Sequence, residues 1–157
     1  MAGHTAPQIT LGRPIHGWAT LTVNGHGICG VSYVNPYLID DLIDFLQAEM
    51  DERDFTIRID REERGMAYLT STQMQELLVV TDDGDVHLAD QFTDCDEVRA
   101  CAGALADSIG QDLDGWAHWQ CAEDDDVTYA EALEAAKADV RKKVATLRDM
   151  RRASPMP

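Results

Sequence analysis

Positive charge is what this chain has least of. It holds 13 Lys and Arg against 29 Asp and Glu, a formal net charge of −16 with its five histidines neutral. A field this negative repels nucleic acid and anionic lipid and draws in cationic partners. Direct nucleic-acid binding through the acidic body and attachment to a membrane surface are therefore not expected. Long hydrophobic runs are missing too, since no stretch approaches the roughly 18–20 apolar residues that span a bilayer. Residues Met1 to Pro14 show neither a basic start nor an apolar stretch, so the sequence predicts a cytoplasmic protein without a secretory leader. Four cysteines, Cys29, Cys95, Cys101 and Cys121, are too few to staple 157 residues, and they read as free thiols of a reducing compartment.

Recognisable catalytic patterns are also absent. There is no Gly-x-Ser-x-Gly elbow, no Gly-x-x-x-x-Gly-Lys loop and no Gly-x-Gly-x-x-Gly opening a helix. The pairs His26-x-x-Cys29 and His118-x-x-Cys121 carry zinc-type ligands but lack the tight Cys-x-x-Cys or His-x-x-x-His spacing of a turn-borne site. Cys29 falls on an apolar strand and Cys101 on the buried stripe of a helix, which favours packing over ligation. Asp82-Asp83-Gly84-Asp85 lacks the alternating order of a calcium loop and its terminal bidentate Glu, so it reads as a hairpin turn. No enzyme activity, cofactor or metal is expected.

What is present is a division of charge. Residues 1–126 carry a net −19 and residues 127–157 a net +3. Three segments follow: a loose N-terminal arm over 1–14, an acidic α+β domain over 15–122, and an acidic linker with a mildly basic helix over 123–157. The acidity has a GC-rich genome or a salt-rich habitat as its alternative source, and a whole-proteome salt adaptation would have acidified the tail as well, which weighs slightly against that one.

Within the body, Ala19, Leu21 and Val23 alternate with Trp18, Thr20 and Thr22, and Asn24-Gly25 supplies the positive φ angles of a tight hairpin. Asn35-Pro36 predicts a helix start, with Asn35 as N-cap, followed by an apolar stripe through Leu38, Leu42, Phe45 and Leu46. Asp40, Asp41 and Asp44 sit near that helix's N-terminus, where its dipole favours negative charge. Strands are predicted at 55–60, 66–70 and 86–92, and the run Leu77 to Val80 suits a central strand covered on both faces. A second helix follows Asp94, and Thr128-x-x-Glu131 caps a third that reaches about Arg151. Residues 115–121 fit either a helical turn or a strand. The summed order, ββ-α-ββββ-α, predicts a mainly antiparallel sheet of five or six strands with helices on one face, plus a C-terminal helix.

Binding features outweigh catalytic ones. Trp18 lies on the polar face of its strand, where it either anchors a partner or is covered by a helix. Trp116 and Trp119, beside Asp112, Asp114 and Asp124, Asp125 and Asp126, form an aromatic anchor ringed by carboxylates that would suit an Arg- and Lys-rich partner. Leu133, Val140 and Leu147 recur every seven residues, with Val144 widening the stripe, a seam for one more helix from this chain or from a second copy. The expected function is a non-enzymatic acidic module that captures and inhibits or regulates a basic protein partner, in the manner of an immunity protein or antitoxin. Two alternatives are an acidic nucleic-acid mimic of phage or plasmid origin that inhibits a DNA-processing or defence enzyme, and an assembly subunit that dimerises through its C-terminal helix.

Overall fold

The computed structural model describes residues 7–15, 17–31, 35, 37–51, 56–61, 65–71, 76–81, 84–90, 95–121 and 128–152. The chain is α+β, with two antiparallel sheets and four helices. The first sheet is β1 (Ile9–Leu11), β2 (Trp18–Val23) and β3 (His26–Val31), in that order. The second is β4 (Thr56–Asp60), β5 (Met66–Ser71), β6 (Glu76–Thr81) and β7 (Gly84–Asp90), also in chain order. Helix α1 (Leu38–Met50) links the two sheets, and α2 (Cys95–Gly110), α3 (Leu113–Gln120) and α4 (Tyr129–Arg152) follow.

Local chemistry accounts for the hairpins. Asn24 and Gly25 take φ of 48° and 85°, as the sequence predicts for a two-residue turn between right-twisted strands. The same turn fastens the chain's start. Asn24 Oδ1 accepts from the Gln8 N–H at 2.6 Å, and the Asn24 N–H donates to Gln8 O at 3.0 Å. The N-terminal segment is therefore partly a strand and not a loose arm throughout: Ile9 and Leu11 are buried in register against Val23 and Leu21. Two apolar residues separated by one Thr are too short a period-two signal to identify a strand from sequence.

The expected single sheet is also corrected. Seven strands form two ladders that meet where the ends of β3 and β4 approach each other. A Cβ on Gly30 would stand 3.2 Å from Ile59 Cγ2, so Gly30 permits that approach. Asn35, expected to cap α1, does something else. Its Oδ1 accepts from the Asp60 N–H at 2.8 Å and its Nδ2 donates to Asp60 O at 2.9 Å. One side chain thus stands in for a strand at the gap between sheets. Helix α1 begins at Leu38 behind Tyr37, without a side-chain cap.

The inner faces of both sheets (Ala19, Leu21 and Val23; Ile57, Ile59, Leu69 and Val79) join α1 and α2 in one core. Strand β6 is interior to its sheet, but only one of its faces is fully covered, because Leu78 and Val80 are half-buried. Helix α2 lies between β1 and α4, and buried small residues Ala102, Gly103 and Ala106 leave room for neighbours at close range. Its Ser108 Oγ accepts from the Leu11 N–H at 3.2 Å while donating to Leu105 O. Cys101 accepts a hydrogen bond from the Ile9 main chain, and burial pushes its thiol up to about 11. These two side chains satisfy outward-facing donors on β1 and blunt a sheet edge that would otherwise be open.

Candidate functional surface

Helix α3 resolves the ambiguity at residues 115–121 in favour of a helix, and that decides the role of the tryptophans. Trp116 is 0% exposed and Trp119 is buried, their rings tilted at 57° with centroids 5.3 Å apart. The Trp119 Nε1–H donates to Asn35 O at 2.9 Å. Both rings belong to the core and present no surface to a partner, contrary to the expected anchor. At a period of three residues on a short helix they share one face, and that face is turned inward. Asp112 is the N-cap of α3: its Oδ1 accepts from the Gly115 N–H at 3.1 Å and its Oδ2 lies 3.4 Å from Arg13 Nε. Asp114 is exposed, with Lys137 Nζ at 3.9 Å. Asp124, Asp125 and Asp126 lie outside the described residues.

The C-terminal seam is filled from within the chain. Val140, Val144 and Leu147 are buried and Leu133 packs against them, all in contact with the body's own core. Helix α4 is held further by Lys143, whose Nζ reaches Asp139 Oδ2 at 2.8 Å, Asp40 Oδ2 at 2.9 Å and Gln120 Oε1 at 2.9 Å. This one ammonium ties α1, α3 and α4 together. Burial works to lower the Lys143 pKa, but the hydrogen bonds to Asp139 and Asp40 outweigh it and hold the group above its ordinary value. For Asp139, burial acts upward and is outweighed by hydrogen bonds from Lys143 and Gln120, leaving the carboxyl below the usual aspartate range. A helix seam therefore met an intramolecular partner, and the sign change along the chain becomes a contact between basic helix and acidic body.

Among the described residues, exposed aromatics mark two surfaces. The first is the outer face of the sheets. Trp18 is 41% exposed there, sharing its face with Thr20, Thr22 and Cys29. The main helix–strand contacts, α2 with β1 and α1 with β4, run through the core, and Trp18 stays exposed among the described residues. The second is the start of α1. Tyr37, 70% exposed, precedes Asp40, Asp41 and Asp44. Burial, then repulsion by Asp44 and Asp40, raises the Asp41 carboxyl above the ordinary aspartate value. Sequence reasoning found these carboxylates but assigned them only to the helix dipole; it missed Tyr37 as a surface aromatic. Tyr37 precedes the apolar stripe of α1, where no periodicity separates a surface aromatic from a buried one.

His118 Nδ1 and the Tyr129 hydroxyl form a hydrogen bond between α3 and α4. No group of three or more His, Cys, Asp or Glu among the described residues is placed to hold a metal ion, and none of their helices is long and apolar enough to cross a membrane. Comparisons with protein-family models, with curated proteins and with solved structures find no match to this chain.

Proposed function

We propose that this protein is a non-enzymatic, acidic binding module that captures a basic protein partner and inhibits or regulates it. The observation that carries this reading is the start of α1, where like-charged Asp40, Asp41 and Asp44 crowd beside an exposed Tyr37. A cation docked there relieves repulsion that the free protein tolerates, and the tyrosine ring supplies apolar area and a cation–π face. The net charge of −16 steers such a partner from a distance. Lys143 already neutralises part of Asp40, leaving Asp41 and Asp44 as the pair that a foreign Arg or Lys would meet.

The test is a pull-down with the full chain at low salt from the source cell and from cells that compete with it, repeated with Asp41→Asn/Asp44→Asn and with Tyr37→Ala. A basic protein is recovered by the wild type. The carboxylate variant mainly slows association, and Tyr37→Ala mainly speeds dissociation. Recovery of no partner removes the reading. Recovery undiminished in both variants places the contact elsewhere.

A further inference from the structure

We propose that the Asn24–Gly25 turn is a site of spontaneous modification: Asn24 deamidates through a cyclic imide, and the isoaspartate formed unfastens β1 from the core. Asparagine is among the thermolabile side chains, and the chain has two. Asn35 is followed by Pro36, which has no N–H, so the next main-chain nitrogen cannot attack it. Asn24 is followed by Gly25, which is exposed and where a Cβ would meet no atom within 4 Å. Among the described residues the Gly25 N–H makes no main-chain hydrogen bond. The Gly115 N–H, which follows Asp114, is by contrast held by Asp112 Oδ1 at 3.1 Å. At Gly25 the attacking nitrogen is open to water, and no side chain crowds the centre that forms.

Water is the only co-reactant. Gly25 N gives up its proton to solvent and bonds to Asn24 Cγ; the Cγ–Nδ2 bond breaks and Nδ2 leaves as ammonia. Water then opens the imide. Cleavage of the new bond between Gly25 N and Cγ gives aspartate. Cleavage between Gly25 N and the main-chain carbonyl carbon of Asn24 gives isoaspartate, with an extra carbon in the main chain and a free carboxylate beside it.

Strand β1 sets the pace. Ring closure turns Asn24 Cγ onto Gly25 N, but Asn24 Oδ1 is bonded to the Gln8 N–H at 2.6 Å, so that bond breaks first. The reaction therefore waits for the Gln8 end of β1 to fray. Its product makes the fraying permanent. The extra carbon lengthens a two-residue turn that sets Val23 opposite His26, and the Asn24 atoms that meet Gln8 lose their positions. Ile9, in register with Val23, then loses the end of the strand that pinned it.

The experiment holds the full chain at neutral and mildly alkaline pH and follows position 24 by peptide mapping that separates amide, aspartate and isoaspartate. Hydrogen exchange at Ile9 and Leu11 runs in parallel, because their N–H groups bond Cys101 and Ser108 and so read the docking of β1. The chain unfolded in urea supplies the ungated rate. Isoaspartate is expected at position 24 of the folded chain, forming more slowly than in urea. In the converted fraction exchange at Ile9 speeds roughly tenfold or more, and Tm falls by roughly 4–8 °C. Gln8→Pro, at an exposed position, removes the donor to Asn24 Oδ1 and speeds conversion several-fold. Asn24→Gly keeps the positive φ and forms no product. If Gln8→Pro does not fold, dilute urea replaces it, and conversion must rise in step with exchange at Ile9. An Asn24 that stays an amide in the folded chain while it converts in urea overturns the proposal. So does a rate unchanged by Gln8→Pro, or a converted chain with the parent's exchange and Tm.

Discussion

Replacing Asn35 isolates the clasp between the two sheets. Its side chain is 7% exposed and makes two hydrogen bonds to the main chain of Asp60, while the bond from Trp119 goes to its own carbonyl and survives any substitution. Asn35→Ala removes both side-chain bonds and leaves the Asp60 N–H and C=O partly buried without them. At about 1–1.5 kcal/mol each, the expected loss is about 2–3 kcal/mol, or roughly 4–12 °C in Tm for a chain of this size. Asn35→Asp preserves volume and the acceptor for the Asp60 N–H, yet it sets a carboxylate oxygen against Asp60 O at a distance of 2.9 Å. At pH 7 it therefore costs about 1–2 kcal/mol more than alanine. The introduced carboxyl prefers its protonated form in the folded state, because that form restores a donor. Its folded pKa is raised, so the deficit is largest above that pKa and shrinks as pH falls through it. Urea denaturation followed by circular dichroism at pH 7 and about pH 4 measures both effects. A Cβ on Gly30 would come within 2.9 Å of Asn35 Nδ2, so Gly30→Ala and Asn35→Ala should couple by about 1 kcal/mol in a double-mutant cycle. Wild-type stability in Asn35→Asp at pH 7, or equal and pH-independent losses in both variants, would refute the clasp.

Three further outcomes are expected. Lys143→Met keeps the aliphatic stem and loses the charge, so it should cost about 1–2 kcal/mol in chemical denaturation and less than Lys143→Ala, because Asp40 and Asp139 stay partly solvated. Asp41→Asn should raise Tm slightly at neutral pH. The native carboxyl is raised above 3.8, so wild type gains stability as pH falls through the folded value, and the difference from the variant closes in acid. In a thiol-titration time course, exposed Cys95 should react at once, whereas buried Cys101, with its pKa near 11, should react only at the rate of global unfolding.

Elements with strong periodicity or turn chemistry were legible. The Asn24-Gly25 hairpin, the alternating strand now bounded at Thr56–Asp60, the cap of α4 by Thr128 and the stripe through Val140 and Leu147 follow from local rules, and the structure keeps them. Strand β1 was not legible, because two apolar residues around one Thr give too short an alternation, and its edge is closed by Ser108, 97 residues after Leu11. The candidate surface was read less well. An aromatic next to carboxylates looks the same in sequence whether the ring faces solvent or core, and here Trp116 and Trp119 face the core while Trp18 and Tyr37 do not.

The sequence by itself determined the charge, its division between body and tail, the α+β class and the identity of most elements, since each depends on composition or on contacts within a few residues. Tertiary structure alone decided where the tail's basic charge goes, what Asn35 bonds, and which aromatics are surface. Each of those depends on residues far apart in the chain: Lys143 with Asp40, Asn35 with Asp60, Trp119 with Asn35. A hydrogen-bonding side chain is satisfied by whichever partner the fold brings nearest, and sequence proximity does not rank those partners.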